Sequence, residues 1–348
     1  MEFGGGDEIR FERRGVAGVV TLTRSKALNA LTHGMIRALA KALAAWEQDK
    51  AVALVVMKAE GRAFCAGGDL AHAYDGMRTG NPPLDFFADE YRLNAALARF
   101  PKPCVSLIDG IVMGGGVGVS CHGSHRVMTE KALFAMPEVG IGFFPDVGAS
   151  FLLSRLKRSF GMYLGLTGTR IRAGDACRAG IATHVVSSAS LDEILEGLCK
   201  GTSPDRVLRP FASRPDCETD EGTLFAIARL FSRDRLDDLL LGLRQARDEG
   251  EAIADSALAA IEKASPTSVA VAFREINTGA MLEMDDCMRM EFRILNRMLA
   301  GHDFPEGIRA VIIDKDGAPK WRPPSLAELS EPAVDAYFAP LPGGDLEV

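Results

Sequence analysis

Two glycine-bearing turns and two acidic residues in an apolar segment are the parts of this sequence best suited to chemistry. The first turn, Ala63-Phe64-Cys65-Ala66-Gly67-Gly68-Asp69-Leu70, follows a short β-branched run, and Asp69 is placed to cap a helix. The second, Gly110 to Gly118 (GIVMGGGVG), ends a strand and leads through three successive glycines into a helix. Glycine at such a junction lets a ligand atom approach the backbone, and free amides at a helix start favour developing negative charge. Two such donors could form an oxyanion hole. Each turn taken singly also fits a tight bend that lets a helix pack closely.

The acids lie in Phe134 to Gly148 (FAMPEVGIGFFPDVG), which is otherwise almost wholly apolar. Glu138 has Met136, Val139 and Ile141 for neighbours in sequence, and burial there would raise its pKa toward a range useful for proton transfer. Asp146 follows Pro145 at the expected start of a helix, where the dipole would favour its ionised form. Carboxylates in unlike settings can divide acid and base roles. The plainer alternatives are a buried structural acid and a helix-start residue.

Other chemistries find no support. There is no GxxxxGK[ST] phosphate loop, no GxSxG, no HExxH, and no GxGxxG between a strand and a helix. Cys121, His122 and His125 are close in sequence but point differently on a helix, so no metal site is expected there. With 40 basic residues against 47 acidic ones, net −7 and no basic block, a mainly electrostatic nucleic-acid binder is disfavoured. The most apolar stretch, Cys104 to Cys121, is broken by Asp109 and several glycines, so no membrane span is expected. Seven cysteines without a CxxC pair suit a reducing compartment. Met1 to Arg14 has neither an apolar h-region nor the look of a transit peptide, so the expected location is cytoplasmic, with the mitochondrial matrix as the alternative.

The elements that must position these residues read as α/β in the first part of the chain. Short β-branched runs at 15–22 and 53–58 flank a helical pattern at 33–48, an opening that reads as strand, strand, helix, strand; then 85–100 reads as helix, 104–108 as strand, 116–121 as helix, 125–128 as strand and 145–156 as helix. Strands alternating with helices imply a layered α/β fold. Beyond about residue 200 helical patterns take over, at 236–247, 268–279 and 286–299. The expected organisation is a core over 1–200 and a helical region over 201–348, which could pack as one domain with the core. A proline-rich stretch at 203–215 marks a linker or an internal loop, and the chain from Ala339 reads as an ordinary tail.

The two glycine turns and the Pro137-Glu138 segment, in this order, resemble the enoyl-CoA hydratase/isomerase (crotonase) superfamily, from about Arg10 to beyond Val186. The piece Lys26-Ala27-Leu28-Asn29-Ala30-Leu31 resembles that family's N-terminal CoA-proximal motif. The resemblance implies a ClpP-like spiral of ββα units followed by a C-terminal helical region. It also implies a thioester oxyanion hole made by the amides of Gly68 and Gly115, with Ala66 beside the substrate and Glu138 as catalytic acid. Hydratases of the family carry a second glutamate three residues after the oxyanion-hole glycine, and this chain has Gly118 there. Without it, water addition to a double bond lacks half of its acid/base pair.

Pro137-Glu138 followed by Phe144-Pro145-Asp146-Val147-Gly148 instead resembles the 3-hydroxyisobutyryl-CoA hydrolase branch. Met290-Glu291-Phe292-Arg293, Asp303 to Asp316 and Pro319-Lys320-Trp321 are similar to the C-terminal motif of that branch. The resemblance then implies hydrolysis of a short β-hydroxyacyl-CoA, a step of valine degradation, with Glu138 as nucleophile or as base. It implies Asp146 and Glu90 as partners of the 3-hydroxyl or of water, and Arg24 and Lys26 as cations for the CoA phosphates. No metal or other cofactor is implied, CoA being part of the substrate, and homo-oligomers, trimers or hexamers, are implied as the family's habit. The competing readings are a hydratase or isomerase on another acyl-CoA and a non-catalytic acyl-CoA-binding protein.

Overall fold

The structure, a computed structural model, describes residues 1–348. In chain order the elements are β1 (Ile9–Arg14), β2 (Ala17–Leu22), α1 (His33–Gln48), β3 (Leu54–Ala59), β4 (Ala63–Cys65), α2 (Leu70–Arg78), α3 (Leu84–Ala98), β5 (Cys104–Ile108), β6 (Ile111–Met113), α4 (Gly115–Cys121), β7 (His125–Thr129), β8 (Leu133–Ala135), α5 (Ala149–Ser154), α6 (Phe160–Thr167), β9 (Ile171–Arg172), α7 (Ala173–Ala179), β10 (His184–Val186), α8 (Leu191–Cys199) and α9 (Pro204–Leu208). Seven helices complete the chain: α10 (Glu221–Phe231), α11 (Leu236–Asp248), α12 (Ala252–Lys263), α13 (Pro266–Gly279), α14 (Met284–Ala300), α15 (Asp303–Ile308) and α16 (Glu331–Phe338). Contacts divide the chain into two compact units, the first comprising 1–68, 89–134 and 171–218 and the second 69–88, 135–170 and 219–348. The units alternate along the chain, whereas the change to all-helical sequence falls at a single place near 200.

The first unit holds both sheets. One has the order β1-β2-β3-β5-β7-β10, antiparallel at β1–β2 and parallel beyond; the other has the order β4-β6-β8-β9. In the pairs β3/β4, β5/β6 and β7/β8 the first strand joins the larger sheet and the second joins the smaller one. Alternate residues Val19, Val56, Val105 and Val127 form one face of the larger sheet and pack on Ile194 and Leu198 of α8 and Leu208 of α9. Each such fully buried aliphatic side chain contributes roughly 1.5–3 kcal/mol. Thr32 caps α1 by accepting from the amide of Met35, and the buried stripe Met35, Ile36, Leu39, Leu43 and Trp46 has the spacing of one helix face. Trp46 lies so close to β2 that a Cβ on Gly18 would come 2.6 Å from its ring.

The second unit is helical, with α13 at its centre: Val269, Val271, Ala272 and Ile276 are buried, and α5 and α6 pack on it. A Cβ on Gly279 would lie 2.3 Å from the carbonyl oxygen of Ser150, so this glycine is what lets α13 and α5 approach.

Several expectations need correction. The opening order strand, strand, helix, strand is found, but β1 is a charged strand, Ile9-Arg10-Phe11-Glu12-Arg13-Arg14, whose inward side chains are only Ile9 and Phe11, too weak a pattern to give its bounds. The short strands of the smaller sheet have no alternation to detect, being two or three residues each. The stretch 203–215 contains α9, with Pro204 at its first turn where a proline ring is tolerated. The helix expected at 145–156 begins only at Ala149, so Asp146 lies before it and not at its start. The last residues are not a loose tail. Asp345 accepts from both Nε and Nη2 of Arg293, and Leu346 is buried.

Candidate active site

The two glycine corners belong to the first unit. Gly67 has φ +117°, and Gly114 has φ +49° with ψ −125°, conformations that side chains rarely adopt. Gly115 is the first residue of α4, and a Cβ on it would lie 3.4 Å from the Gly68 nitrogen, 3.2 Å from Leu31 Cδ1 and 2.6 Å from Glu90 Oε1. In the turns and loops no backbone carbonyl takes the amide of Gly68 or of Gly115. Unused main-chain donors away from bulk water are costly unless a ligand or water takes them, so this pair is suited to bind an electron-rich oxygen.

The Lys26–Leu31 motif holds the first corner in place. Leu28 and Asn29 both have positive φ, +52° and +55°, bending the chain so that the carbonyl of Leu28 takes the Ala66 amide at 3.0 Å and the amide of Leu31 reaches the Gly67 carbonyl at 2.8 Å. Asn29 Nδ2 donates to the carbonyls of Glu60 and Ala63 at 2.9 and 2.8 Å, tying the bend to β4. Arg24 pairs with Glu8 at 3.1 Å and donates to the carbonyl of Ala30 at 3.0 Å, so its guanidinium has a structural task; Lys26 is exposed. Glu90, expected by its position in sequence alone to be solvated, is 2% exposed. One helical turn later Asn94 is fully buried, with no hydrogen-bond partner for Oδ1 or Nδ2.

Glu138 and Asp146 belong to the second unit and are both buried. Glu138 opens a short 3₁₀ turn, Glu138–Ile141, and its Oε2 has no hydrogen-bond partner. Burial, followed by the nearby charge of Asp146, raises its pKa well above the usual carboxylate value. The C-terminal motif fixes this turn. The amide of Ser265 donates to the Val139 carbonyl at 3.1 Å, Ser265 Oγ donates to Asp303 Oδ2 at 2.6 Å, and Phe304 stacks on Phe143 at 4.2 Å. Further along the motif Arg309 pairs with Glu306, Asp314 and Asp316, closing the loop that follows α15.

Two further acids join Glu138 and Asp146. Glu291 on α14 is fully buried and accepts from the amides of Gly148 and Ser150 at 2.8 and 3.1 Å and from Ser150 Oγ at 2.5 Å. Burial pushes its pKa up to about 8 against the pull of those donors. Glu275 on α13 is also fully buried, neither oxygen has a partner, and burial and then the charge of Glu291 raise its pKa well above the usual value. So many acids in one buried region cannot all be ionised.

Of the residues singled out by sequence, the structure brings Gly68, Gly115 and Glu90 together in the first unit, and Glu138 and Asp146 in the second. It turns Arg24 toward Glu8. Sequence reasoning missed Asn94, whose only signal is its position four residues after Glu90. It missed Glu275, a lone acid on the apolar face of its helix, and it treated Glu291 as part of a motif without a task. Cys121 is buried next to Ser120, while His125 stacks on His184 and meets Asp205, so these side chains have other partners.

Residues 17–338 match the family described as enoyl-CoA hydratase/isomerase. A Danio rerio protein named 3-hydroxyisobutyryl-CoA hydrolase, mitochondrial, is 42% identical over 99% of this chain and 92% of its own length. Among solved structures, one named carnitinyl-CoA dehydratase from Mycobacterium thermoresistibile is 39% identical, covers 97% of this chain and 98% of its own, and has a TM-score of 0.91. One named enoyl-CoA hydratase from Rhodobacter sphaeroides is 37% identical over 98% of this chain and 100% of its own, also with a TM-score of 0.91. The chain has the crotonase fold and belongs to the enoyl-CoA hydratase/isomerase family.

Proposed function

We propose that this chain hydrolyses a short β-hydroxyacyl-CoA thioester: 3-hydroxyisobutyryl-CoA and water give 3-hydroxyisobutyrate and free CoA, a step of valine catabolism. The observation that carries this reading is the full-length likeness to a relative named 3-hydroxyisobutyryl-CoA hydrolase. The amides of Gly68 and Gly115 take the thioester oxygen as it gains charge, a contribution of about 3–4 kcal/mol per donor in acyl-transfer sites. Glu138 then acts in its carboxylate form by one of two routes. As nucleophile it bonds to the carbonyl carbon and expels the CoA thiolate, and water opens the resulting anhydride. As base it takes a proton from water, which attacks the carbonyl and expels the same thiolate. The proton ends on the CoA sulfur either way. Because burial and Asp146 hold the Glu138 proton to higher pH, turnover rises with pH through its titration.

Asp146 and Glu90 bind the 3-hydroxyl or the attacking water, Ala66 lies beside the substrate, and Lys26 serves the CoA phosphates, a part that Arg24 shares only if it leaves Glu8. The reaction balances with water alone and asks for no metal or redox group. The proposed compartment is the cytoplasm, on cysteine chemistry that a mitochondrial matrix would suit equally; fractionation separates the two. Self-association as a trimer or hexamer belongs to the same proposal and is read by light scattering.

Hydration is the second reading, favoured by the names of the two solved structures. Against it stands Gly118, which leaves α4 without a carboxylate at the position of the second hydratase glutamate. Thiol release from 3-hydroxyisobutyryl-CoA, isobutyryl-CoA and crotonyl-CoA, beside hydration of crotonyl-CoA, decides between them. The expected result is fast thiol release only where the acyl chain carries the 3-hydroxyl, since a site built for a hydroxyl rejects its absence strongly. Hydration of crotonyl-CoA outrunning all thiol release would overturn the proposal.

A further inference from the structure

Asp146 sits in a corner that is closed locally by one turn bond, the amide of Ala149 donating to the Asp146 carbonyl at 3.0 Å. Val147 has φ +58°, a region that a β-branched residue rarely adopts, and Gly148 follows at φ +86°. Gly148 is the N-cap of α5 and has no side chain to accept from the first amides of the helix. The acceptor comes from far along the chain. Glu291 Oε2 takes the Gly148 amide at 2.8 Å, while Oε1 takes both the amide and the hydroxyl of Ser150 at 3.1 and 2.5 Å. These bonds straddle the residues that follow Val147, and all three donors lie within four residues of Asp146. A carboxyl group has an accepting oxygen for each of the two amides whether or not it is ionised, whereas an amide in its place would aim an NH₂ group at an N–H.

We propose that Glu291 is a positioning residue. It clamps the Val147–Ser150 corner and so holds Asp146 in the orientation that recognises the substrate's 3-hydroxyl. This rests on the role given to Asp146 above. A residue that only supports the fold would affect all substrates alike; one that aims Asp146 affects substrates that carry the hydroxyl.

The test compares kcat/KM for thiol release from 3-hydroxyisobutyryl-CoA and isobutyryl-CoA in wild type, Asp146→Asn, Glu291→Gln and the double variant, with thermal melting as the folding control. We expect Asp146→Asn to cut the preference for the hydroxylated substrate by about tenfold or more, and Glu291→Gln to reproduce most of that cut. Turnover of isobutyryl-CoA should fall no further in Glu291→Gln than in Asp146→Asn, and the double variant should be no worse than Asp146→Asn by more than about twofold on either substrate. Equal losses on both substrates, or losses that multiply in the double variant, would overturn the inference and leave the role of Asp146 standing. An unchanged preference in Asp146→Asn would overturn both. Should Glu291→Gln not fold, Ser150→Ala decides: it removes one hydrogen bond of the clamp and should lower the preference in the same direction, and no change would refute the clamp.

Discussion

The glycine corners of the first unit and the buried acids of the second are built from opposite materials. At the corners the groups proposed to meet the substrate are main-chain amides, fixed by backbone conformations at Gly67 and Gly114 and by a bend at Leu28-Asn29. Their charge does not change with pH, and only geometry can spoil them. Among the acids the backbone departs from ordinary conformations only at Gly142, Val147 and Gly148, and the behaviour of Glu138, Glu275 and Glu291 is set by burial and by nearby carboxylates, Asp146 among them. A change at a corner should therefore lower rate at every pH, whereas a change among the acids should move a pH dependence.

Gly115→Ala should break the corner with the largest effect of this set. Its Cβ would press on Glu90 Oε1 and Leu31 Cδ1, side-chain ends that can shift, so the protein should fold while the donor moves off its target. We expect turnover to fall by about 10²–10³ across the whole pH range. A loss under about twofold would remove this amide from the mechanism.

Asp146→Asn should move the pH dependence as well as the substrate preference. The charge of Asp146 is one cause of the raised Glu138 pKa, so removing it stabilises the Glu138 carboxylate. The limb on which activity rises with pH should then shift to lower pH. A pH–rate profile that keeps its limb, or moves it upward, would separate the two acids electrostatically.

Glu275→Gln should have the smallest effect, and it should appear in stability. In the folded protein Glu275 keeps its proton above the ordinary value of 4.5, while in the unfolded chain it loses it, so the unfolded state binds fewer protons and wild-type stability falls as pH rises. The decline is about 1 kcal/mol per pH unit until the folded group titrates. Glutamine has no such liability, so the variant should gain on wild type between urea melts at about pH 5.5 and about pH 8. A difference independent of pH would mean that Glu275 is already ionised in the fold.

The same contrast explains what could be read from sequence. Glycine corners leave a local signature, because only glycine tolerates the backbone they need, and both were found at Gly67-Gly68 and Gly114-Gly115. The long helices showed themselves by their apolar spacing, and Glu138 by its apolar neighbours. Contacts between distant parts of the chain left no such mark. Glu291 reaches Ser150 across 141 residues, and Asp345 reaches Arg293 across 52, which is why the first looked like an idle motif residue and the second like a tail. The start of α5 was misplaced because Val147 adopts a positive φ that its type argues against, held by an acceptor outside the local sequence. The order strand, strand, helix, strand is legible at the start of the chain, but the bounds of β1 are not, because its outward face is charged.

The most direct measurement is thiol release from 3-hydroxyisobutyryl-CoA by Glu138→Gln, with melting temperature measured on the same sample. The substitution keeps the shape and removes the group proposed to attack the carbonyl or to activate water. A folded protein whose turnover has dropped by at least about a hundredfold is the predicted result. A folded Glu138→Gln protein that hydrolyses the thioester as fast as wild type would contradict the account.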